Sequence, residues 1–180
     1  FGDISGLHLN INKCVTVPLG TGTLEEFTTA RNTKMPAWAN MPVADCGKYL
    51  GFMIGPGKGN KSWDEPTNKY LQRCRSWAGH GVGMHYHTVA YNTFAVSTLS
   101  YVGQLEQVPT ETLTQETKGL KLTHKGPKDW TNNHDLWRLK EHFGQSASCK
   151  SVLHTTMAAQ LRVRTWDTAC RIAHYQGDVK

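Results

Sequence analysis

The chain has 180 residues and a formal net charge of +6, and 38% of its residues are hydrophobic. This length is sufficient to bury a core, and the hydrophobic content is too high for a disordered chain. Residues 86–105 carry no formal charge, but polar side chains interrupt them, so we expect a buried helix and no membrane span. Five cysteines without Cys-x-x-Cys spacing argue against a disulfide scaffold and a zinc ribbon, and favour a reducing, intracellular compartment.

The positive charge is confined to the last third of the chain. Residues 118–180 hold 11 basic and 5 acidic groups, whereas residues 1–117 hold 9 of each. A basic region of this kind favours a polyanionic partner such as nucleic acid, or an acidic protein face. A solvated lysine-rich surface without a partner would give the same counts.

The first third of the sequence predicts short strands. Apolar and polar residues alternate through residues 4–18, which is typical of a strand or a hairpin edge. A short helix is expected near Leu24–Arg31. Residues 48–54 (KYLGFMI) predict a single strand, in which Gly51 allows close approach by another backbone.

The remainder of the sequence predicts helices. The first runs from Pro66 to Trp77, and the second is the uncharged segment, buried on most sides and closed by Pro109. Residues 110–128 are expected to form a linker. Asn132 or Asn133 is expected to cap a helix that Gly144 stops. The pattern of a few strands followed by helices predicts an α+β fold with segregated elements.

A last helix of about 20–25 residues is expected after Ser151. Its apolar side is predicted to comprise Val152, Met157, Leu161 and Trp166. Arg164 and Arg171 share one face of this helix, and with Lys121, Lys125 and Lys128 they are candidate phosphate ligands. The nearby tryptophans are more typical of core anchors than of base-stacking platforms.

The sequence offers only weak signals for metal binding or nucleophilic catalysis. The adjacent acids Glu25-Glu26 and Asp64-Glu65 are expected to be solvated groups in loop-like surroundings, not a metal-binding pair. His80, His85 and His87 lack a nearby acid or cysteine downstream, so a loop or helix-start role is favoured over a metal site. No serine or cysteine lies in a recognisable nucleophile motif. No cofactor is implied.

Three blocks in order carry a resemblance to a known family: SGLHLNINKCVTVPL (5–19), KYLGFMIGPG (48–57), and residues 70–109, which begin YLQRCRSWAGHG. They resemble reverse transcriptases of non-LTR retrotransposons. In that family a SGLxLNxxKT segment follows the catalytic hairpin, a KYLGxxIG strand comes next, and a thumb helix pair follows. The resemblance implies short strands at the end of a palm-like sheet (1–57), a mainly helical thumb-like segment (58–109) and a basic helical C-terminal region (110–180).

The resemblance also implies roles for individual residues. Lys13 matches the motif lysine thought to donate a proton as pyrophosphate leaves, although Cys14 stands where Thr is usual. The primer-grip strand is matched by Tyr49, Leu50, Gly51 and Phe52. Arg73, Arg75 and Trp77 match the first thumb helix, which faces the minor groove of the template–primer duplex.

The family's catalytic aspartates have no counterpart in this sequence. Its Tyr-x-Asp-Asp strand would lie about twenty residues before Gly6, and no Asp-Asp pair occurs anywhere in the chain, which also lacks an initiator Met. Two-metal phosphoryl transfer needs such carboxylates. We therefore expect no enzyme activity from these 180 residues as they stand.

Two functions follow as expectations. In the first, the chain is the non-catalytic C-terminal portion of a reverse-transcriptase-like protein and binds RNA or RNA–DNA duplex through its thumb-like region. In the second, it is a retroelement-derived structural subunit of a larger multiprotein or ribonucleoprotein assembly, whose partners are other protein subunits. A hydrolase or metal-dependent enzyme is the least favoured class.

Overall fold

A computed structural model describes residues 2–6, 8, 10–127 and 130–177, with side chains for 4–6, 8, 10–127 and 130–164. The structure is mostly helical with one short antiparallel hairpin, so the predicted α+β class is confirmed. The chain forms two compact units, residues 1–62 and 63–180. No helix among the described residues combines the length and hydrophobicity needed to cross a membrane.

The first unit contains little regular structure. Its elements are α1 (Gly2–Ser5), a 3-10 turn (Ile11–Lys13), α2 (Leu24–Lys34), a second 3-10 turn (Pro36–Trp38), β1 (Gly47–Tyr49) and β2 (Phe52–Ile54). The helix expected near residues 24–31 is confirmed, and a capping box between Thr23 and Glu26 begins it.

The predicted strand over residues 4–18 is wrong. Gly2–Ser5 are helical, Ile11–Lys13 form a 3-10 turn, and Thr16 makes a single bridge to Val43. Leu7 and Leu9, which carried part of the alternation, lie outside the described residues. Alternation alone did not produce a strand here. Of the described residues in 4–18, Thr16 is the one that forms a β-bridge with another segment.

The single strand predicted over residues 48–54 is also wrong, because the segment is a hairpin. Tyr49 pairs with Phe52, so Leu50 and Gly51 form a two-residue turn. Both turn residues have positive φ, 46° and 88°, as type I′ turns require. Gly51 therefore serves the turn rather than close approach by another backbone.

Arg31 holds α2 to the segment that follows it. Its guanidinium is buried and donates hydrogen bonds to the backbone carbonyls of Ala39 and Met41. A guanidinium presents its N–H donors in a fixed planar fork, so it can bond two neighbouring carbonyls better than an ammonium group can. Among the described residues of this unit, Met41 is the single buried hydrophobic side chain.

The second unit is a helical assembly. Its elements are α3 (Lys61–Ala78, whose first two residues belong to the first unit), α4 (Met84–Ala90), a π-helical segment (Tyr91–Ala95), α5 (Ser97–Gly103), α6 (Thr110–Thr123), α7 (Asn133–Trp137), α8 (Leu139–Phe143) and α9 (Val152–Gly177). Helix α3 begins five residues earlier than predicted and contains Pro66. Asn132, one of the two predicted caps, begins α7, and Gly144 ends α8 in a left-handed conformation. The single helix predicted between these residues is wrong, because Arg138 separates two helices of five residues each.

The core of the second unit lies between α3, the uncharged helical segment, α6 and α9. Tyr70 and Tyr91 are fully buried with their rings edge to face, 6.1 Å apart. The Tyr70 hydroxyl lies 3.2 Å from both the Tyr91 hydroxyl and the Glu116 carbonyl. Burial of two aromatic rings with satisfied hydroxyls makes this pair a strong anchor of the core.

The segment predicted to be a linker, 110–128, contains the helix α6. Its buried residues Glu116, Leu120 and Thr123 recur at helical spacing. The sequence signal was weak because two of these three positions are polar, and polar side chains at helical spacing do not predict a buried face.

The uncharged helix is not buried on most sides, contrary to prediction. Tyr91, Leu99 and Val102 are buried, whereas Tyr86 and Val89 are exposed. In α9 the packed side comprises Val152, Thr156 and Gln160, which contacts the carbonyls of Gly103 and Glu106.

The apolar side predicted for α9 is therefore wrong in part. Met157 and Leu161 are exposed by 51% and 60%. The side chain of Trp166 lies outside the described residues.

Candidate nucleic-acid interface

A cleft lies beside the C-terminal half of α6 and the segment that leads into α7. Two hollows of about 550 and 100 Å³ share Lys121, Thr131 and Asn133 in their walls. Trp137 lines the larger hollow, and Trp130 lines the smaller one together with Lys125. We call this surface the lysine cleft.

Lys121 lies in the last turn of α6, and Lys125 lies two residues beyond the end of that helix at Thr123. Both lysines line the smaller hollow, whereas Lys118 lines neither hollow. All three side chains are exposed. The carboxyl end of a helix carries partial negative charge, so cations are favoured at this end of α6.

Trp130 is fixed against the end of α6. Its indole Nε1 donates a hydrogen bond to the His124 carbonyl, at 3.0 Å. The ring lies so close to Gly126 that a Cβ atom there would come within 2.1 Å of it. Position 126 therefore has to be glycine for this placement, and the ring remains 42% exposed for stacking.

The opposite wall of the lysine cleft is held by side-chain hydrogen bonds. Asn133 donates from Nδ2 to the Thr117 hydroxyl at 2.8 Å, which ties the start of α7 to α6. Asn132 accepts from the Asp135 backbone N–H at 2.9 Å in a capping box. Cations, amides and two indoles on one fixed concave surface can contact phosphates and stack on bases.

The candidate residues that the reverse-transcriptase resemblance indicated near the N-terminus lie in the first unit. Lys13 is exposed at the end of the 3-10 turn. Tyr49 and Leu50 are exposed by 64% and 71% at the tip of the hairpin, where Gly51 completes the turn and Phe52 is half-buried.

The arginines of α3 face different surroundings. Arg73 donates from Nη1 to the Phe94 carbonyl at 2.9 Å, within the π-helical segment. Such segments leave carbonyls without their usual helical partner, and Arg73 supplies one. Arg75 is exposed two residues later, where the helix has turned by more than half a revolution.

The remaining predicted phosphate ligands are partly outside the described residues. Arg164 is exposed on α9. Lys128 and the side chain of Arg171 lie outside the part of the chain that the structure describes. Of the predicted residues, Lys121 and Lys125 are the two that the structure brings into one cleft.

A buried polar cluster was missed in the sequence because its members are far apart along the chain. His124 lies between Thr123, whose hydroxyl is 2.9 Å from Nδ1, and Cys149, whose Sγ is 3.4 Å from Nε2. The Thr88 hydroxyl is 3.2 Å from the same Nε2 atom. No local sequence signal indicated His124, which falls in the segment predicted to be a linker.

The electrostatics of this cluster are not those of an activated nucleophile. Burial raises the pKa of the Cys149 thiol to about 12 and lowers the pKa of His124 to about 4. Both groups are therefore neutral at pH 7, whereas thiol catalysis requires the thiolate. The cluster acts as a hydrogen-bonded part of the core.

The other candidates from the sequence lie apart. His80 contacts the Ser76 carbonyl and His85 the Ser146 hydroxyl, while the His87 ring lies 6.3 Å from that of His124. Within the described residues, no three His, Cys, Asp or Glu side chains are arranged to hold a metal ion.

The adjacent acidic pairs are solvent-exposed, as expected. They lie near the amino ends of α2 and α3 and not in loops, so the expectation of loop-like surroundings is wrong. Carboxylates are favoured at the amino end of a helix, which accounts for this placement.

The chain was compared with family models, curated proteins and solved structures, and none of the three comparisons gave a match. The resemblance to reverse transcriptases therefore stays a prediction from three blocks of sequence.

Proposed function

We propose that the chain binds nucleic acid, as RNA or RNA–DNA duplex, through the lysine cleft. In this proposal it is a non-catalytic C-terminal portion of a reverse-transcriptase-like protein. The observation that carries the proposal is the placement of Lys121 and Lys125 beside Trp130 in one concave surface. The excess of positive charge in residues 118–180 supports it, since phosphate neutralisation dominates such affinities.

The proposed mode of binding is by shape and backbone contact. The ammonium groups of Lys121 and Lys125 would contact neighbouring phosphates, and the exposed part of Trp130 would stack on a base or sugar at a duplex end or single strand. Sequence readout is not part of the proposal. The absence of an Asp-Asp pair from the sequence supports a non-catalytic role.

The test is a titration of a fluorescently labelled RNA–DNA duplex, followed by anisotropy at several salt concentrations. The double variant Lys121→Gln/Lys125→Gln should bind more weakly, and the slope of log K against log salt should fall by about 1–2. The matched control is Lys34→Gln/Lys69→Gln, which removes two other exposed lysines and the same charge. Equal loss in both variants would contradict the proposal.

We infer, as a second candidate, a structural role in a larger multiprotein or ribonucleoprotein assembly. The observation in favour is a stripe of exposed apolar side chains on α9, formed by Leu153, Met157 and Leu161. Large exposed apolar patches are typical of protein–protein contacts. Native mass spectrometry of the protein isolated from its cells, before and after nuclease treatment, distinguishes the two: a nuclease-resistant assembly supports this candidate, and a lone chain contradicts it.

For either function we infer a reducing compartment. Cys14, Cys46, Cys74 and Cys149 are free thiols, and the side chain of Cys170 lies outside the described residues. Extracellular domains of this size more often use their cysteines in disulfides.

A further inference from the structure

A second concave surface lies in the helical unit, formed by the end of α3, the glycine-rich loop after it, α4 and the π-helical segment. Its volume is about 430 Å³. The lining residues are Trp77, Val82, Tyr86, Val89, Ala90 and Phe94. We call this surface the aromatic cleft.

The aromatic cleft combines a stacked aromatic pair with exposed apolar side chains. Trp77 and Phe94 stack with their rings 5.4 Å apart and 17° from parallel. Tyr86, Val89 and Phe94 are exposed by 65%, 43% and 43%. Several large apolar side chains held together at the surface mark a contact site, since exposing them costs about 25 cal/mol for each Å².

No acidic side chain lines the aromatic cleft. Residues 77–94, which supply every lining residue, contain no Asp or Glu but three His. Arg73 lies at the rim, bonded to the Phe94 carbonyl, and the His80 ring lies 5.3 Å from that of Trp77. An occupant with negative charge beside its apolar groups would match this surface.

We propose that the aromatic cleft is a docking site for an acidic amphipathic helix of a partner protein. Its leucines or aromatic residues would enter the cleft at helical spacing, and its Asp or Glu side chains would face Arg73. A nucleic acid fits less well, because the lining is almost wholly apolar and offers few donors to phosphate oxygens. This site is separate from the lysine cleft, and the inference does not depend on nucleic-acid binding.

The test uses three synthetic peptides of about 14 residues, which is long enough for the helical spacing of groove-binding anchors. The first has leucines on one face and glutamates elsewhere. The second replaces the leucines by serine and keeps the charge, and the third replaces the glutamates by lysine. Binding of each labelled peptide to the full chain is measured by fluorescence anisotropy. We expect the first peptide to bind at least tenfold more tightly than either of the others.

The protein variant is Val89→Glu, which places an acid in the aromatic cleft. Its matched control is Val163→Glu, because Val163 on α9 is exposed to nearly the same extent, 45% against 43%. Circular dichroism melting verifies that both variants fold. Val89→Glu should weaken binding of the leucine–glutamate peptide at least tenfold, and Val163→Glu should leave it unchanged. If Val89→Glu melts early, Arg73→Gln provides the second variant, with a severalfold loss expected.

Three outcomes would overturn the proposal. Equal binding of the serine peptide would mean that net charge alone attracts acidic peptides. Equal loss in Val163→Glu would place the contact elsewhere. Loss of RNA–DNA duplex binding in Val89→Glu, with no peptide binding by the parent chain, would assign the aromatic cleft to nucleic acid.

Discussion

His124 illustrates how burial sets the behaviour of a single residue. Its ring is 4% exposed and contacts the hydroxyls of Thr88 and Thr123 and the thiol of Cys149. All of these contacts are to neutral groups, and the neighbouring His87 disfavours a second positive charge. The neutral imidazole is therefore the form that the folded protein accommodates.

This residue predicts a pH dependence of stability. Burial lowers the pKa of His124 from 6.5 to about 4, so between these values the unfolded chain binds more protons than the folded one. The contribution of neutral His124 to the free energy of unfolding is fully present above pH 6.5 and is lost as the pH falls through 4. The total loss is about 3 kcal/mol. Urea unfolding at pH 7 and pH 4.5 measures the loss in the parent chain. His124→Gln should lose less unfolding free energy between these two pH values than the parent chain does. The control His142→Gln, at an exposed histidine, should show the same loss as the parent. An equal loss in all three proteins would contradict the assignment to His124.

Leu50 carries backbone strain at the hairpin tip. Its φ of 46° is unfavourable for a branched apolar side chain, and the side chain is 71% exposed. Leu50→Asn should stabilise the hairpin by roughly 0.5–1 kcal/mol, because Asn-Gly is the preferred pair for this turn. Thermal unfolding followed through the amides of residues 47–54 measures the effect. Leu19→Asn, at another exposed leucine without positive φ, should give no gain.

At the scale of elements, helices α6 and α9 are joined by one buried carboxylate. Glu116 is 3% exposed, and its Oε1 accepts the backbone N–H of Val152 at 2.8 Å. Val152 is the first residue of α9, so the carboxylate satisfies one of the backbone donors that a helix start leaves unpaired. Burial raises the pKa of Glu116, which shows that the contact does not fully offset the loss of solvation.

This contact predicts different effects for two substitutions. Glu116→Ala should lower the free energy of unfolding by about 2 kcal/mol, because the Val152 N–H loses its acceptor. Glu116→Gln keeps an acceptor oxygen and removes the buried charge, so its loss should be less than about 1 kcal/mol. Guanidinium unfolding at pH 7 gives both values. A Gln variant as unstable as the Ala variant would show that the charge, not the acceptor, is what α9 requires.

At the scale of the whole molecule, the two units differ in how much apolar surface they bury. The buried hydrophobic side chains of the described residues lie almost wholly within 63–180, and Met41 is the exception. The first unit depends instead on polar contacts such as those of Arg31 and on a hairpin of three residues a strand. A unit with so small a core is marginally stable.

Hydrogen exchange followed by mass spectrometry should therefore separate the two units. Amides of residues 47–54 and 24–34 should exchange at least a hundredfold faster than those of residues 95–102 and 116–123, since local opening tracks buried contact density. Equal protection in the two units would contradict this description of the core.

The sequence by itself determined the α+β class, the position of α2, a helix cap at Asn132 or Asn133 and a helix stop at Gly144. The last three depend on interactions within a few residues, such as a side chain that caps its own helix.

Only the tertiary structure decided which faces are buried. Met157 and Leu161 are apolar but exposed, whereas Thr156 and Glu116 are polar but buried, because their partners lie on helices tens of residues away. The His124–Cys149 contact and the aromatic cleft depend on the same long-range packing. Local patterns fix how a segment folds, but burial depends on what packs against it, and no window of sequence contains that partner.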